Sequence, residues 1–280
     1  MEKRNLFLSI PALIFILLIS SNLLAEEFTL IERTFESSYY KNLDVKTHTG
    51  AIVIKTWDKM VVNVLIRGNN EAVKNVDFTV ESKDGNITIT TSAKGEPGKE
   101  PLSLRVEVTV PKYFNADVKT FGGEIKLGSL TGNIKLETSG GDINVSEFTG
   151  ESKMKNTGGN IKVITFKGNL TASTTGGDIK LEGSDGEVKA ETAGGDIKLT
   201  YTSTNNMGMT LKTTGGDIKI ILPETIKAML DASATAGEIK TDFSVLVNKD
   251  VSGQTLNGII NGGGNIIKAT TTGGKISIVK

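Results

Sequence analysis

Acidic side chains recur at the same position of a short motif that repeats along this sequence. A pair of carboxylates is the kind of group with which a protein can cleave sugars. Each acid follows a pair of glycines and precedes, by two residues, a lysine or an asparagine. Residues two apart in a strand share a face, so the spacing indicates charge pairing rather than acid catalysis. A catalytic pair would interrupt the repeat at one place, and no such place is evident. The acids are Asp142, Asp178, Asp196 and Asp217.

The glycine–aspartate repeat also suggests calcium, because β-rolls bind calcium through glycine- and aspartate-rich repeats. A calcium site needs several converging oxygens. Here GGDIK runs directly into a strand, and the residue after the glycine varies among Asp, Glu and Asn. With no cysteine and one histidine, His48, neither a zinc site nor a histidine-based triad can be assembled. We therefore expect no metal, no cofactor and no catalytic residues.

Lysines recur in the same way, at Lys126, Lys162, Lys180, Lys198 and Lys219, with Asn144 interrupting the series. Two interpretations remain open. The neighbouring acids could offset the repulsion through cross-strand pairs worth about 0.2–1 kcal/mol each. Alternatively, the lysines form a face that binds a repeating anionic polymer of an envelope or host surface. The candidate binding residues are then Lys162, Lys180, Lys198 and Lys219.

Threonines stand three residues before the second glycine of most pairs, at Thr120, Thr138, Thr174, Thr192 and Thr213. An ice-binding surface would need a flat, uncharged face, whereas the strands here carry Asp, Lys and Glu. We therefore expect the threonines to stack on one another at a turn.

Glycine sets the period of the chain, because it falls nine times at a constant spacing of nine from Gly123 to Gly195 and is doubled at every second site. The spacing then lengthens before GGDIKI at 215–220. Polar and aliphatic residues alternate between these glycines, which is typical of half-buried strands. Successive copies of the doubled unit would stack as parallel strands.

The pattern predicts an all-β, single-domain parallel β-solenoid whose 18-residue coils consist of two nine-residue strand–turn halves. Glycine serves the turns through positive φ or through its missing side chain. The predicted structural turn residues are Gly123, Gly141, Gly159, Gly177, Gly195 and Gly216.

Residues 1–25 have the pattern of a secretory signal peptide, with Lys3 and Arg4 before an apolar run and Ala25 before the expected cut. An uncleaved anchor is the alternative, since the apolar run is just long enough to span a bilayer. We expect export to the periplasm, the cell surface or the medium, with no membrane insertion after cleavage.

Residues 26–280 are expected to form one β-solenoid domain. Wide, irregular coils occupy 26–119, and the regular repeats and C-terminal coils occupy 120–280. The 32 basic residues balance the 32 acidic ones, so no global basic field for nucleic acid exists.

Four segments give the chain its distinctive order: VEVTVPKYFNADVKTFGGEIKL, the GGDI strands, ILPETIKAMLDASATAGEIKTDF and the ending NGGGNIIKATTTGGKISIVK. In this order, over about residues 41–280, the chain resembles a bacterial family of exported β-strand-repeat domains known as putative adhesins, whose function is otherwise unknown. The resemblance implies a role at the cell envelope and a β-helix-like fold. It brings no catalytic residues to this sequence.

We therefore expect a non-enzymatic exported protein of the cell envelope or surface, which acts in adhesion or binding or as a scaffold. Its partner would be an anionic envelope or host-surface polymer, or an envelope protein. Two alternatives remain: a polysaccharide-active enzyme that uses carboxylates, and a regulatory partner in envelope-stress signalling. A cleft with a non-repeating carboxylate pair would favour the enzyme, and a smooth repetitive face would favour binding.

Overall fold

The computed structural model describes residues 27–94, 101–247 and 254–280, so the predicted signal peptide lies outside the described residues. Within these ranges the chain forms 25 strands and one short helix, α1 (Asn70–Asn75), which confirms the predicted all-β class. In the same ranges, no helix has the length and apolar character needed to cross a membrane.

In chain order the strands are β1 (Phe28–Glu36), β2 (Lys41–Thr47), β3 (Ala51–Trp57), β4 (Val61–Gly68), β5 (Val76–Lys83), β6 (Asn86–Ala93), β7 (Leu104–Pro111), β8 (Phe114–Thr120), β9 (Ile125–Thr131), β10 (Ile134–Thr138), β11 (Ile143–Thr149), β12 (Ser152–Lys155), β13 (Ile161–Lys167), β14 (Leu170–Ser173), β15 (Ile179–Ser184), β16 (Val188–Glu191), β17 (Ile197–Tyr201), β18 (Met209–Lys212), β19 (Ile218–Ile221), β20 (Ala228–Ala234), β21 (Ile239–Thr241), β22 (Val245–Val247), β23 (Thr255–Ile260), β24 (Ile266–Thr271) and β25 (Ile276–Val279).

These strands form two sheets. Sheet A has the order β1-β4-β7-β3-β9-β11-β13-β15-β17-β19-β25-β21. Sheet B has the order β22-β23-β20-β24-β18-β16-β14-β12-β10-β8-β2-β6-β5. From β8 to β19 the chain alternates between the two sheets, one strand at a time.

Over the glycine repeat, neighbouring strands of a sheet are parallel and pair residues that lie one repeat apart. In sheet A, Ile143 pairs with Ile161, which pairs with Ile179 and then Ile197. The next step is longer, from Ile197 to Ile218, as the change in glycine spacing predicted. Identical side chains therefore stack directly on one another along the sheet.

The core follows from the alternation within each strand. In β15, Ile179 and Leu181 are buried whereas Lys180 and Glu182 are exposed. The buried residues of both sheets belong to one contiguous hydrophobic cluster. Burying each such side chain is worth about 1.5–3 kcal/mol, which is how short strands become stable once stacked.

Both ends depart from simple parallel stacking. Antiparallel pairs join β1 to β4, β4 to β7 and β5 to β6 near the N-terminus, and β20 to β23 and β22 to β23 near the C-terminus. The last two strands also leave chain order, because β24 lies between β18 and β20 and β25 lies between β19 and β21. Stacking in order of sequence was the expectation, and the chain instead forms the antiparallel pair of β20 and β23 before its last two strands.

Candidate functional site

The predicted binding lysines occupy one line across the outer face of sheet A. Lys162 pairs in register with Lys180, Lys180 with Lys198, and Lys198 with Lys219, on the adjacent strands β13, β15, β17 and β19. All four side chains are exposed. Because neighbouring strands lie about 4.8 Å apart, the four Cα atoms span about 14 Å. We call these four residues the lysine row.

Among the described residues, none of these four ammonium groups lies within 4 Å of a carboxylate. Ion pairs occur instead just outside the row. Lys126 Nζ lies 2.8 Å from Glu124 Oε2 on one side, and Lys275 Nζ lies 3.6 Å from Asp217 Oδ2 on the other. The expected charge pairing is thus found at the ends of the series and not at the four candidate residues.

The neighbouring acids are engaged by the backbone instead. At each step, a side-chain oxygen of one coil accepts a hydrogen bond from the backbone N–H of the equivalent residue in the next coil. We call these acceptors the carboxylate row, although one member is an asparagine. The acceptor–donor pairs are Asp142 with Asn160, Asn160 with Asp178, Asp178 with Asp196, Asp196 with Asp217 and Asp217 with Lys275, at 2.7–2.8 Å.

In sheet B, two lysines form ion pairs with glutamates that lie opposite them in register on the adjacent strand. Lys119 Nζ lies 3.2 Å from Glu137 Oε2, and Lys212 Nζ lies 3.1 Å from Glu191 Oε1. Burial acts to raise the pKa of Glu137, but the hydrogen bond and charge of Lys119 outweigh it, so its pKa lies below the ordinary value. The four lysines of the row therefore lack the acidic partners that Lys119 and Lys212 have.

The predicted turn glycines lie where backbones of successive coils approach most closely. A Cβ atom on Gly141, Gly159, Gly177, Gly195 or Gly216 would collide with the carbonyl oxygen of the equivalent glycine one coil earlier, and one on Gly123 with that of Gly50. None of the six has φ in the left-handed region. Of the two reasons predicted for glycine, the missing side chain is the one that applies here.

The threonines stack at the same turns, as expected. Each hydroxyl donates to a glycine carbonyl of the preceding coil, for example Thr138 Oγ1 to Gly123 O at 2.8 Å and Thr192 Oγ1 to Gly177 O at 2.9 Å. Asn156 takes the threonine position in one coil, and its Nδ2 donates to Gly141 O at 2.7 Å. These side chains are buried, so they hold turns together and are not a binding face.

Some of the described carboxyls have a pKa shifted in the direction opposite to that of a general acid. A general acid needs a raised pKa, whereas three carboxyls have a lowered pKa: Glu107 beside Lys55, Glu137 beside Lys119, and Glu224 beside Lys280. Among the described residues, no three His, Cys, Asp or Glu side chains come together as a metal site would require.

The structure places His48 beside an aromatic ring. The ring of His48 packs near Phe121, with 5.8 Å between ring centroids, and its backbone N–H donates to Thr91 Oγ1 at 3.2 Å. No second histidine exists in the chain.

Sequence reasoning missed two features of this surface. The first is the hydrogen-bonded carboxylate row, whose signal was the asparagine at 160, since Asp and Asn share a side-chain acceptor. The second is a polar groove on sheet B beside a cluster of tyrosines, formed by parts of the chain that follow no repeat.

Comparison with known proteins gives the following. The family described as Toastrack DUF4097 matches residues 19–184 and 164–279. Solved structures similar to the chain include a "putative lipid binding protein" of Parabacteroides distasonis (12% identity, 89% of this chain and 96% of the other, TM-score 0.42). Another is a "putative adhesin" of Bacteroides fragilis (14% identity, 89% of this chain and 95% of the other, TM-score 0.35). A third is a "putative cell adhesion protein" of Clostridium sporogenes (14% identity, 89% of this chain and 98% of the other, TM-score 0.26). No curated protein matches.

Proposed function

Because the chain belongs to the Toastrack DUF4097 family, as its resemblance over residues 41–280 led us to expect, we propose that it is an exported, non-enzymatic binding protein of the cell envelope or surface. Its lysine row attaches to a repeating anionic polymer. The observation that carries this proposal is that four exposed lysines stand in register with no carboxylate within 4 Å among the described residues.

The repulsion within the row supports this assignment. Adjacent unit charges about 4.8 Å apart repel by about 0.9 kcal/mol even at the dielectric constant of water. A polymer with evenly spaced anionic groups would relieve this repulsion at every step. The carboxylate row does not neutralise the lysine row by direct ion pairs, because none of its acids lies within 4 Å of a row lysine among the described residues.

The regular spacing requires a regular scaffold. We infer that each full repeat forms one coil of a β-solenoid and contributes one strand to each sheet, which is supported by the pairings of Ile143, Ile161 and Ile179. The single hydrophobic cluster supports one domain over 26–280. Stacked coils hold the lysine Cα atoms at a fixed spacing, so the scaffold lowers the conformational cost of binding an extended partner.

The test replaces Lys162, Lys180, Lys198 and Lys219 by Gln. We expect an unchanged circular dichroism spectrum and a loss of attachment to whole bacterial cells and to surfaces coated with anionic glycans. The matched control replaces Lys119, Lys189, Lys212 and Lys268 of sheet B by Gln, which removes the same charge. These four lysines are ion-paired, so the control should lose only about 0.2–1 kcal/mol of stability per pair and should still attach.

Equal attachment of the two variants would contradict the proposal. If the row variant attaches as well as the parent, the row is architectural. If both variants lose attachment equally, net charge rather than this face drives binding.

A further inference from the structure

A groove of about 500 Å³ crosses the outer face of sheet B, on the side of the molecule away from the lysine row. Its floor and rim come from β2, β8, β10 and β12 and from the residues that precede β10 and β12. The volume is within the range of ligand sites in proteins, roughly 300–1,000 Å³. The lining residues that matter below are Asn42, Asp44, Asn115, Asp117, Asn133, Lys135, Glu151 and Lys153.

Amides and carboxylates line the groove in register. Asn42 pairs with Asn115, and Asp44 pairs with Asp117, across β2 and β8. The amides form a chain, because Asn115 Nδ2 donates to Asn42 Oδ1 at 3.0 Å and the backbone N–H of Asn133 donates to Asn115 Oδ1 at 2.9 Å. These bonds hold the side chains in fixed orientations, which is what recognition of a small polar ligand needs.

Several polar groups in the groove remain without a protein partner among the described residues. Asp44 Oδ1 accepts no hydrogen bond from the described residues but is itself buried, and Asp44 Oδ2 pairs with Lys46. The side-chain amide of Asn133 makes no hydrogen bond within the described chain, and Glu151 and Lys153 make no ion pair there. The groove thus offers both donors and acceptors.

Three tyrosines lie outside the groove lining, directly before two of the strands that line it: Tyr39 and Tyr40 before β2, and Tyr113 before β8. Tyr40 and Tyr113 come two residues before Asn42 and Asn115, and the backbone N–H of Tyr40 donates to Tyr113 O at 2.8 Å. The ring of Tyr39 lies 5.2 Å from that of Tyr113, centroid to centroid, and the Tyr40 ring lies 5.9 Å from it.

Tyr40 is unusual in two ways. Its side chain is 70% exposed, although an exposed aromatic ring is unfavourable in water. Its backbone has φ of 61°, a left-handed conformation that is energetically unfavourable for a residue with a side chain. A tyrosine ring supplies rigid, amphipathic contact area at low entropic cost, and a strained backbone is a reason to consider a function for the residue.

Charge indicates the class of ligand. The groove lining contains the acids Asp44, Asp117 and Glu151 and the cations Lys135 and Lys153. Lys46, outside the lining, pairs with Asp44 and brings the acids and cations at the groove into balance. Lys135 Nζ lies 3.2 Å from Asp117 Oδ2. A fixed, balanced set of donors and acceptors suits hydroxyl groups, which both donate and accept, and a tyrosine ring suits an apolar C–H face.

We propose that this groove is a second binding site, independent of the lysine row, for an uncharged oligosaccharide. The sugar hydroxyls bond to the amides and carboxylates, and the C–H face of one sugar ring packs on Tyr40.

The test measures binding of maltotriose, cellotriose and tri-N-acetylchitotriose to the full chain by calorimetry, with a heparin oligosaccharide as the anionic probe. Tyr40→Gly removes the ring and also relieves the backbone strain, so its melting temperature should equal or exceed that of the parent. Asn133→Ala removes an amide that has no protein partner among the described residues, so its fold should be intact. Each variant should bind the neutral probe about tenfold more weakly or worse, and should bind heparin as the parent does.

Two results would overturn the proposal. One is that none of the three neutral probes binds the parent. The other is that Tyr40→Gly and Asn133→Ala both bind the neutral probe as tightly as the parent. The lysine-row variant separates the two sites, because it should lose heparin and keep the neutral probe.

Discussion

Asp178 Oδ1 accepts a hydrogen bond at 2.8 Å from the backbone N–H of Asp196, which lies 18 residues further along the chain. Through this bond the acid at this position connects its coil to the next one. Asn160 accepts the equivalent bond, from Asp178, at the same distance. A neutral acceptor therefore serves as well as a charged one, and the acids at this position act in the scaffold while the lysines are available for a partner.

Gly177→Ala should destabilise the protein by about 1–3 kcal/mol, the usual cost of overpacking. Its Cβ atom would collide with the carbonyl oxygen of Gly159. The neighbouring Gly176→Ala is the control, because its Cβ would lie 3.5 Å from the carbonyl oxygen of Gly158 in ordinary contact. Urea unfolding measures both. Equal losses would show that close backbone approach is not why glycine is needed at 177.

Thr192→Val should cost about 1–3 kcal/mol, because it removes the hydroxyl of a buried threonine and leaves the partly buried carbonyl oxygen of Gly177 without its donor. Thr192→Ser keeps the hydroxyl and should retain most of the stability. Thr210 is exposed on β18, so Thr210→Val should change stability by no more than about 0.5 kcal/mol. Thermal unfolding compares the three. A loss for Ser as large as that for Val would argue against the hydrogen bond.

Glu107→Gln should reduce stability at neutral pH by about 0.5–1 kcal/mol and have no effect in strong acid. The hydrogen bond from Lys55 Nζ, at 2.9 Å, lowers the pKa of the Glu107 carboxyl. A lowered pKa stabilises the fold above the ordinary pKa of about 4.3, and this contribution disappears as the pH falls through the folded-state pKa. Unfolding at pH 7 and at about pH 2.5 measures the difference.

Glu182→Gln is the control for this pH effect, since Glu182 is exposed and has no ion pair among the described residues. The change in stability caused by Glu182→Gln should be the same at the two pH values. A Glu107→Gln loss that is the same at both pH values would show that packing, and not the charge, explains its effect.

The regular part of the fold was accessible from the sequence because each strand repeats the same physical requirements. Alternation placed Ile179 and Leu181 inside and Lys180 outside, and the glycine period predicted the register of sheet A. The stacking of Thr138 and Thr192 followed from the same period.

What the repeat does not encode had to come from the structure. No local signal shows that β25 lies between β19 and β21, because that order depends on pairings between strands far apart in the chain. The sheet B groove joins Asn42 to Asn115, which is 73 residues further along the chain. The spacing predicted acids beside the lysine row. It could not show that these acids accept hydrogen bonds from backbone N–H groups, or that none of them lies within 4 Å of a row lysine among the described residues.

The central claim, that the lysine row binds an anionic polymer through its charges, is tested most directly by the affinity for heparin at a series of ionic strengths. Between about 0.01 and 0.15 M the Debye length falls from about 30 to 8 Å, so exposed charges are progressively screened. The affinity of the parent should fall steeply over this range. The variant with Lys162, Lys180, Lys198 and Lys219 replaced by Gln should bind weakly at low salt and depend little on salt, whereas the sheet B variant should follow the parent. Equal affinity and equal salt dependence for the parent and the row variant would contradict the account.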